Sequence, residues 1–268
     1  MKTSLIVSTY NRPDALAVTL ESILQLNRLP DEVIIGDDGS TSETADVIAS
    51  FQTRFPVPLI HIWHEDKGFR LAKIRNKCLA RATGDYIIQI DGDLILHPDF
   101  ITDHIRAARP GAFIKGTRVR LNKRATEQIC ATQIPPRRKI TFLSNAIEDK
   151  RECTIRCIPL SKILAPRFKR NVISGLGCNM SFWREDAIRI NGYDEHYEGW
   201  GGEDDDLALR LHRAGCRKLA LRFAGIIYHL WHNERQQQKQ TQQANLDYCR
   251  AQTEQGVIRC EHGMDQYL

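Results

Sequence analysis

The sequence predicts an α/β fold with a mostly parallel central sheet flanked by helices. Through the first hundred residues, short β-rich apolar runs alternate with amphipathic helix patterns. Three of the four runs end in polar loops, T-Y-N-R, G-D-D-G-S and D-G-D. Strands that alternate with helices pair in parallel through right-handed crossovers, and ligands bind at the carboxyl ends of such strands. We therefore expect a ligand site at that edge of the sheet.

Each element has its own local signal. The first strand, S-L-I-V-S-T-Y, precedes a helix that Asn11 or Asp14 can cap. The second strand, E-V-I-I-G-D-D, precedes a helix that begins at Ser40 or Thr41. P-L-I-H-I-W-H-E is the third strand, residues 70–82 suit a helix, and D-Y-I-I-Q-I-D-G-D is the fourth strand.

The chain divides into four stretches of one domain, since 268 residues suffice for a single large core. Residues 1–110 carry the alternation, and residues 111–172 are basic and lack a clear period. That basic stretch predicts a long loop or a helical insertion that acts as a lid. Residues 173–235 regain order, and residues 236–268 are a polar, Gln-rich tail, which predicts a solvated helix or a flexible arm.

Composition excludes several classes of protein. Hydrophobic residues are 42% and charged residues 26% of the chain, which argues against disorder, collagen and coiled coil. No apolar stretch of about 18 residues is present to predict a transmembrane helix, and the N-terminal apolar run ends at Val7. We therefore expect a cytoplasmic protein whose eight cysteines are reduced. The net charge of +5 is modest, but basic residues concentrate in 115–139 and 162–170, a pattern that suits an anionic partner or a solvated surface.

Asp91 and Asp93 flank Gly92 at the end of the fourth strand. Alternate residues of an extended chain point the same way, so the two carboxylates project to one side, and Gly92 leaves room for a ligand or backbone. Convergent carboxylates suit a hard divalent cation that also holds phosphates. Taken alone, the pattern also fits a turn with two solvated acids.

The strongest local signal is G-W-G-G-E-D-D-D-L, residues 199–207. The four acids precede a helix pattern, whose dipole can stabilise Asp205 and Asp206. The three glycines lower stability, so a close backbone approach to a ligand explains them better. Trp200 offers a sugar an aromatic face and an N–H donor. A carboxylate beside it can act as a general base toward a hydroxyl.

Taken in order, S-T-Y-N-R, G-D-D-G-S, G-F-R-L-A-K-I-R-N, D-G-D and G-W-G-G-E-D-D-D-L resemble glycosyltransferase family 2, of the GT-A fold. The stretch G-C-N-M-S-F-W, with the later G-Y-D-E-H-Y-E-G-W-G-G-E-D-D-D-L, is similar to the acceptor region of β-1,4-galactosyltransferases and chondroitin polymerases. The resemblance covers residues 3–100 and 173–232. It implies a Rossmann-like sheet, with a nucleotide-sugar-binding half at 1–110 and an acceptor and catalytic-base half at 173–235.

The resemblance also implies roles for matching residues. Asp204 would be the general base, and Glu203 would contact the acceptor or donor sugar. The donor site would contain Thr9, Tyr10, Arg12, Asp38, Arg70, Arg75, Asn76, Asp91 and Gly92, with Asp38 near the base. The acceptor site would contain Trp200, Gly201, Gly202 and Asn179. The metal site would contain Asp93, Asp91 and His229, with His232 competing for the place of His229.

The implied activity is inverting, metal-dependent transfer of one sugar to a glycan or glycolipid hydroxyl. A UDP-hexose or UDP-N-acetylhexosamine is the implied donor, and Mn²⁺ or Mg²⁺ would neutralise the leaving nucleotide. The lack of a Q-x-x-R-W pattern favours single transfer over polymerisation. The basic segment suits an acceptor such as lipopolysaccharide core or capsular polysaccharide, or peripheral contact with the inner face of an anionic membrane.

Two other classes of function are open. A nucleotidyltransferase can share the nucleotide fold, but its G-G-x-G-[ST]-R-like loop is replaced here by T-Y-N-R. A non-catalytic binding module, such as a nucleic-acid binder, would use the basic segment. Aromatic residues normally interleave with the basic ones in such binders, and residues 115–139 contain no Phe, Tyr or Trp. We therefore expect no nucleic-acid partner.

Overall fold

The computed structural model describes residues 1–136, 140–165, 173–233 and 238–268. Its strands are β1 (Thr3–Thr9), β2 (Glu32–Asp37), β3 (Leu59–Trp63), β4 (Tyr86–Asp91), β5 (Leu94–Leu96), β6 (Ala112–Lys115), β7 (Val119–Leu121), β8 (Ile147–Asp149), β9 (Met180–Trp183), β10 (Arg217–Ala220) and β11 (Ile227–His229). Its helices are α1 (Pro13–Leu24), α2 (Ser42–Gln52), α3 (Leu71–Arg81), α4 (Phe100–Ala107), α5 (Lys123–Thr132), α6 (Ile158–Leu164), α7 (Arg184–Arg189), α8 (Glu203–Arg213) and α9 (Gln238–Glu254), with 3₁₀ turns at Arg151–Thr154 and Met264–Tyr267. None of these helices has the length and apolar character needed to cross a membrane.

The central sheet confirms the predicted α/β fold. Its order is β10-β6-β9-β4-β1-β2-β3, and β9 runs antiparallel to its neighbours β4 and β6. The pairs β1–β2, β2–β3, β1–β4 and β6–β10 are parallel. A smaller sheet, β5-β11-β7-β8, lies beyond β4 in the chain. This arrangement brings β11, from the second half, beside β5, which follows the D-G-D loop directly.

Apolar side chains alternate between the two faces of the sheet, as strand geometry requires. Leu5 and Val7 belong to the cluster that buries α1 and α2, whereas Ile6 belongs to the cluster that buries α3, α7 and α8. Helices therefore cover both faces, and strands buried on both sides read as nearly continuous apolar runs. The edge where the strands end is left for the polar loops.

The start of α1 differs from the prediction. Its N-cap position is Arg12, and neither Asn11 nor Asp14 caps it. Asn11 instead adopts a left-handed conformation, with φ of 46°, and its side-chain oxygen accepts a hydrogen bond from the Thr41 N–H at 2.9 Å. Pro13 supplies the first helical residue, where its lack of an N–H costs nothing. Asn11 thus joins the first two polar loops rather than capping a helix.

The basic middle stretch is more ordered than the sequence indicates. Residues 112–115 form β6 in the central sheet, and residues 119–121 form β7 in the second sheet. Arg156 fastens the stretch to α4 through two hydrogen bonds to the buried Asp103 carboxylate, at 2.9 and 2.7 Å. Residues 137–139 and 166–172, which carry part of the predicted basic surface and lid, lie outside the described residues.

The C-terminal tail is packed rather than a flexible arm. Helix α9 buries Asn245 and Cys249, and the segment after it buries Cys260 and the fully enclosed Met264. The Met264 N–H donates to the Asn191 carbonyl at 3.0 Å. Few apolar residues mark this stretch in the sequence, so their burial against α3 and α8 depends on tertiary contacts. All eight cysteines are free, as predicted.

Candidate active site

Three polar loops meet at the carboxyl edge of the central sheet, as predicted. Strand pairing sets Thr9 opposite Asp37 and Ser8 opposite Asp91. The Gly92 N–H donates to the Ser8 carbonyl at 2.7 Å, and a Cβ at Gly92 would lie 3.1 Å from the Thr9 side chain. Gly92 therefore permits the tight approach of the D-G-D loop to β1.

Asp93 lies against two imidazoles at the mouth of this edge. Nε2 of His229 is 3.6 Å from Asp93 Oδ1, and Nε2 of His232 is 3.7 Å from Asp93 Oδ2. Among the described residues these three form a group whose ligand atoms lie within 4.8 Å of one another. Asp93 Oδ1 is buried and has no hydrogen-bond partner among the described residues. Asp93 Oδ2 also pairs with the Arg12 guanidinium, at 3.4 Å. An unsatisfied buried carboxylate oxygen facing two imidazoles fits a divalent cation.

The second half of the chain orients one of these imidazoles. Nδ1 of His229 is 2.9 Å from the Leu230 carbonyl, which can only accept a hydrogen bond. Nδ1 therefore carries the proton in the neutral ring, and Nε2 presents its lone pair toward Asp93. The sequence left His229 and His232 as competitors, but the geometry brings both to Asp93.

Asp91 lies apart from that group. Its Oδ1 pairs at 3.2 Å with Nη2 of Arg75, a side chain that is 1% exposed. Of the two carboxylates in D-G-D, Asp93 therefore faces the imidazoles and Asp91 faces a buried guanidinium. Strand alternation alone could not identify these different partners.

Asp204 lies in the first turn of α8, and three donors hold its carboxylate. Oδ1 accepts from Arg75 Nη1 at 2.9 Å and from the Tyr193 hydroxyl at 3.2 Å. Oδ2 accepts from the Gly177 N–H at 2.8 Å. A Cβ at Gly177 would lie 2.5 Å from Oδ2, so glycine is required for this approach. The side chain keeps a quarter of its surface exposed, so the fixed carboxylate can still meet a ligand.

Glu203 is buried beside Asp204. Burial, with the neighbouring Asp204 charge, raises the pKa of the Glu203 carboxyl to about 8, although Arg75 opposes the shift. Arg75 Nη1 lies 3.7 Å from Glu203 Oε1. A pKa in this range favours the protonated form of Glu203 at neutral pH, and the residue is only 7% exposed.

Asp38 is held at the end of β2 by interactions within the protein. Its Oδ1 lies 2.6 Å from Nε2 of His64, and its Oδ2 accepts from the Arg70 N–H at 2.9 Å. The nearby Tyr10 hydroxyl donates to Asp66 at 2.9 Å. The sequence analysis missed His64 and Asp66, although both follow β3 at the same carboxyl edge. The position of the loop after β3 was the signal that could have identified them.

Three residues of the predicted donor and acceptor sites are interior. Arg75 is 1% exposed, and Asn76 and Asn179 are fully buried. The Asn76 amide donates to the Tyr193 carbonyl at 2.8 Å, and the Asn179 amide donates to the carbonyls of Thr117 and Gly225 at 2.7 and 2.9 Å. These amides tie loops together, so neither asparagine presents a free group to a donor or an acceptor.

The glycine-rich loop, residues 199–202, is supported from behind by α9. Trp200 is 42% exposed, and its backbone N–H donates to the Thr241 hydroxyl at 3.3 Å. Gly199 has φ of 77°, and a Cβ there would lie 2.6 Å from Thr241. Asn245 donates to the Glu198 carbonyl at 3.1 Å. Gly201 and Gly202 follow in the same loop, and the Gln-rich character of α9 concealed this support in the sequence.

The chain is similar to known proteins along nearly its whole length. The model described as "Glycosyl transferase family 2" matches residues 4–161, and that described as "N-terminal domain of galactosyltransferase" matches residues 160–233. Validoxylamine A glucosyltransferase of Streptomyces hygroscopicus subsp. limoneus is 28% identical over 224 residues, which are 79% of this chain and 48% of that protein. Chondroitin synthase of Escherichia coli is 24% identical over 80% of this chain and 32% of its own length. The chain thus spans about half or less of these relatives.

Solved structures share the fold. S. aureus TarS 1–349 in complex with UDP superposes with a TM-score of 0.63 at 15% identity, over 100% of this chain and 68% of that one. The mannosyltransferase PcManGT from Pyrobaculum calidifontis, in complex with GDP-Man and Mn²⁺, gives a TM-score of 0.58 at 18% identity, over 87% of this chain and 58% of that one. Identities this low support the fold alone, which agrees with the expected GT-A architecture.

Proposed function

The chain belongs to glycosyltransferase family 2, and on that premise we propose that it transfers one sugar from a nucleotide-sugar to a hydroxyl of a glycan acceptor. The observation that carries the proposal is the convergence of two acidic groups at one edge of the sheet. Arg75 contacts both Asp91, the first residue of D-G-D, and Asp204, at the start of α8. In this proposal a cation-binding group and a fixed carboxylate act on opposite sides of the reacting sugar.

A divalent cation in this space would be held by Asp93, His229 and His232. When bound, it would neutralise the diphosphate of the leaving nucleotide. Two imidazoles and one carboxylate favour Mn²⁺ over Mg²⁺, because Mg²⁺ prefers oxygen ligands and octahedral geometry. Asp91 would stay with Arg75 in this arrangement, and the metal site proposed from the sequence is revised accordingly.

Asp204 would act as the general base. Its carboxylate would accept the proton of the acceptor hydroxyl as that oxygen attacks the anomeric carbon. Attack from the face opposite the leaving diphosphate inverts the anomeric configuration. The donors on Asp204 fix its orientation, so the residue would meet the hydroxyl without prior rearrangement. Glu203, being protonated, would support this carboxylate from the interior.

The acceptor would be a glycan that lies against Trp200. This side chain is exposed at the tip of the glycine-rich loop, and its ring offers an apolar face to a sugar. Gly201 and Gly202 would allow the acceptor to approach the backbone. Lys115 and Arg118 lie half-buried on and just after β6, and such cations suit a phosphorylated or acidic glycan such as lipopolysaccharide core. Peripheral contact with an anionic membrane face belongs to the same proposal.

The donor would bind along the loops after β1, β2 and β3. The candidate residues are Thr9 at the end of β1, Tyr10 and Arg12 just after it, and Asp38 just after β2. Arg70 is the N-cap residue of α3. Neighbours of the same fold were solved with UDP, with UDP-GlcNAc and with GDP-Man. We propose UDP as the nucleotide, with a hexose or an N-acetylhexosamine as the sugar.

A nucleotide-sugar screen tests this proposal. The protein is incubated with UDP-, GDP-, CMP- and dTDP-sugars, with Mn²⁺ or with EDTA, and nucleotide release and thermal stability are measured. We expect metal-dependent stabilisation by one UDP-sugar and slow release of UDP, since water can replace the acceptor. Absence of both effects with every nucleotide-sugar would contradict the proposal.

A further inference from the structure

Arg75 occupies the buried face of α3. It lies three residues after Ala72 and four before Leu79, so it shares their inward direction. Its side chain is 1% exposed. A bound nucleotide-sugar therefore has almost no guanidinium surface to contact, and a role for Arg75 must act through its neighbours.

The neighbours of Arg75 come from both halves of the chain. Nη2 is 3.2 Å from Asp91 Oδ1, at the end of β4, and Nη1 is 2.9 Å from Asp204 Oδ1, at the start of α8. The guanidinium carbon lies 5.3 Å from the centroid of the Tyr193 ring, and Nε lies 3.4 Å from the Ser8 hydroxyl. One planar group thus contacts two carboxylates, Asp91 and Asp204, that are 113 residues apart in the sequence.

Stability alone does not explain such a group. Burial of an ion pair costs several kcal/mol of desolvation, and apolar replacements of similar volume often stabilise a protein as well. The chain contains a second fully buried arginine, Arg210, whose partners are of another kind. Arg210 pairs with Asp206 one turn earlier, at 2.7 Å, and donates to the carbonyls of Ile190 and Gly192, each at 2.8 Å. Arg210 thus holds two backbone carbonyls in place, whereas both Nη atoms of Arg75 contact carboxylates at the candidate site.

We infer that Arg75 is a positioning residue for sugar transfer. It holds the Asp204 carboxylate against the Gly177 N–H, so that the exposed part of Asp204 faces the acceptor. The inference rests on the proposed function. It assigns Arg75 to the positioning of Asp204, in place of the direct contact with the donor that the resemblance implied.

A lysine at position 75 tests the inference, since it keeps the charge but cannot form the two-pronged contact. With donor and acceptor both saturating, we expect Arg75→Lys to lower kcat about 100-fold, in the range by which a misplaced base lowers turnover. The dissociation constant of UDP with Mn²⁺ should change less than about threefold, because the nucleotide does not touch Arg75. Arg75→Gln, which keeps an N–H donor, serves if the lysine variant does not fold.

Arg210→Lys is the matched control. It introduces the same change at a buried ion pair that contacts no carboxylate of the site, so it should lower the melting temperature while kcat stays within about twofold. A double-mutant cycle adds a second readout. In an Asp204→Asn background, Arg75→Lys should lower the residual rate by less than about threefold, because the carboxylate that it positions is gone.

The outcomes separate this inference from the proposed function. A wild-type chain that neither binds a nucleotide-sugar nor transfers a sugar overturns both the proposed function and this inference. An active wild-type chain whose Arg75→Lys variant loses no more turnover than Arg210→Lys overturns the positioning role alone. A full 100-fold loss that persists in the Asp204→Asn background also overturns it, because the effect would then not pass through Asp204.

Discussion

At the scale of single residues, the site depends on carboxylates that look alike in the sequence but have different surroundings. Asp91 and Asp93 are separated by one glycine, yet one pairs with a buried guanidinium and the other with two imidazoles. Glu203 and Asp204 are adjacent, yet one is enclosed and the other partly open to solvent. The chemistry of each acid is therefore set by residues distant in the chain.

The proposed base makes the first residue-scale prediction. Asp204→Asn should lower kcat about 10²- to 10⁴-fold, the usual contribution of a general base. The variant should still bind UDP in Mn²⁺, because the proposed metal ligands are untouched. Asp205→Asn is the matched control one residue further along, where the carboxylate accepts only the Gly175 N–H within the described contacts, at 2.9 Å. Normal transfer by Asp204→Asn would show that another group takes the proton.

The neighbouring acid predicts a pH dependence of stability. The folded pKa of Glu203, about 8, lies above its ordinary value of 4.5. Between these values the folded state holds a proton that the unfolded state has lost, so stability falls as pH rises through this window. Glutamine cannot ionise. Between pH 5 and pH 9, the free energy of unfolding of Glu203→Gln should therefore fall by about 2–4 kcal/mol less than that of the wild type. Urea unfolding at both pH values measures it, with the exposed Glu198→Gln as control. Parallel losses in the wild type and Glu203→Gln would contradict the burial of a neutral carboxyl.

Sequence reasoning named the acids, the two histidines and Arg75, but not the contacts of Arg75 with Asp91 and Asp204. The D-G-D loop and the acids of α8 were visible because strand and helix patterns end there. The interior position of Arg75 was also recoverable, because 72, 75, 76 and 79 form one face of a helix. The Asp204 contact with Gly177 was not recoverable, since it joins a loop to a helix start 27 residues later.

At the scale of elements, α9 supports the glycine-rich loop, residues 199–202. The helix carries the side chains that meet Gly199, Gly201 and Gly202 from behind. Its sequence is polar and Gln-rich, so periodicity alone favoured a solvated helix. The strands of the sheet were predictable because each buries a continuous apolar run, whereas a helix that buries only a few residues such as Asn245 and Cys249 leaves a weak pattern.

This support predicts an effect on the acceptor rather than the donor. Asn245→Ala removes the hydrogen bond to the Glu198 carbonyl, and a buried hydrogen bond contributes about 1 kcal/mol, so the acceptor KM should rise about five- to tenfold. The KM for the donor should change less, because the Asn245 side chain contacts the glycine-rich loop itself. Initial rates with each substrate varied in turn measure both constants. Gln243→Ala, on the exposed face of the same helix, is the control, and an equal rise in that variant would contradict the role of Asn245.

At the scale of the whole molecule, the two family matches meet near residue 160. The first match ends at residue 161 and supplies Asp91 and Asp93, and the second begins at residue 160 and supplies Asp204, His229 and His232. Neither part contains a complete site, since the proposed metal ligands come from both. The antiparallel strand β9 lies between β4 and β6 and joins the parts within one sheet.

Because the proposed metal site spans both parts, a bound cation and nucleotide should stabilise the whole fold together. At a concentration 100 times its dissociation constant, a ligand that binds only the folded state adds about 2.7 kcal/mol. In a chain of this size that corresponds to a rise of about 5–10 °C in melting temperature. We expect this rise with UDP and Mn²⁺ together and only a small one with UDP in EDTA. Asp93→Ala and His232→Ala should each abolish the metal-dependent part, whereas the exposed His196, changed to alanine, should not. An unchanged rise in both variants would mean that the nucleotide draws its cation from another part of the molecule.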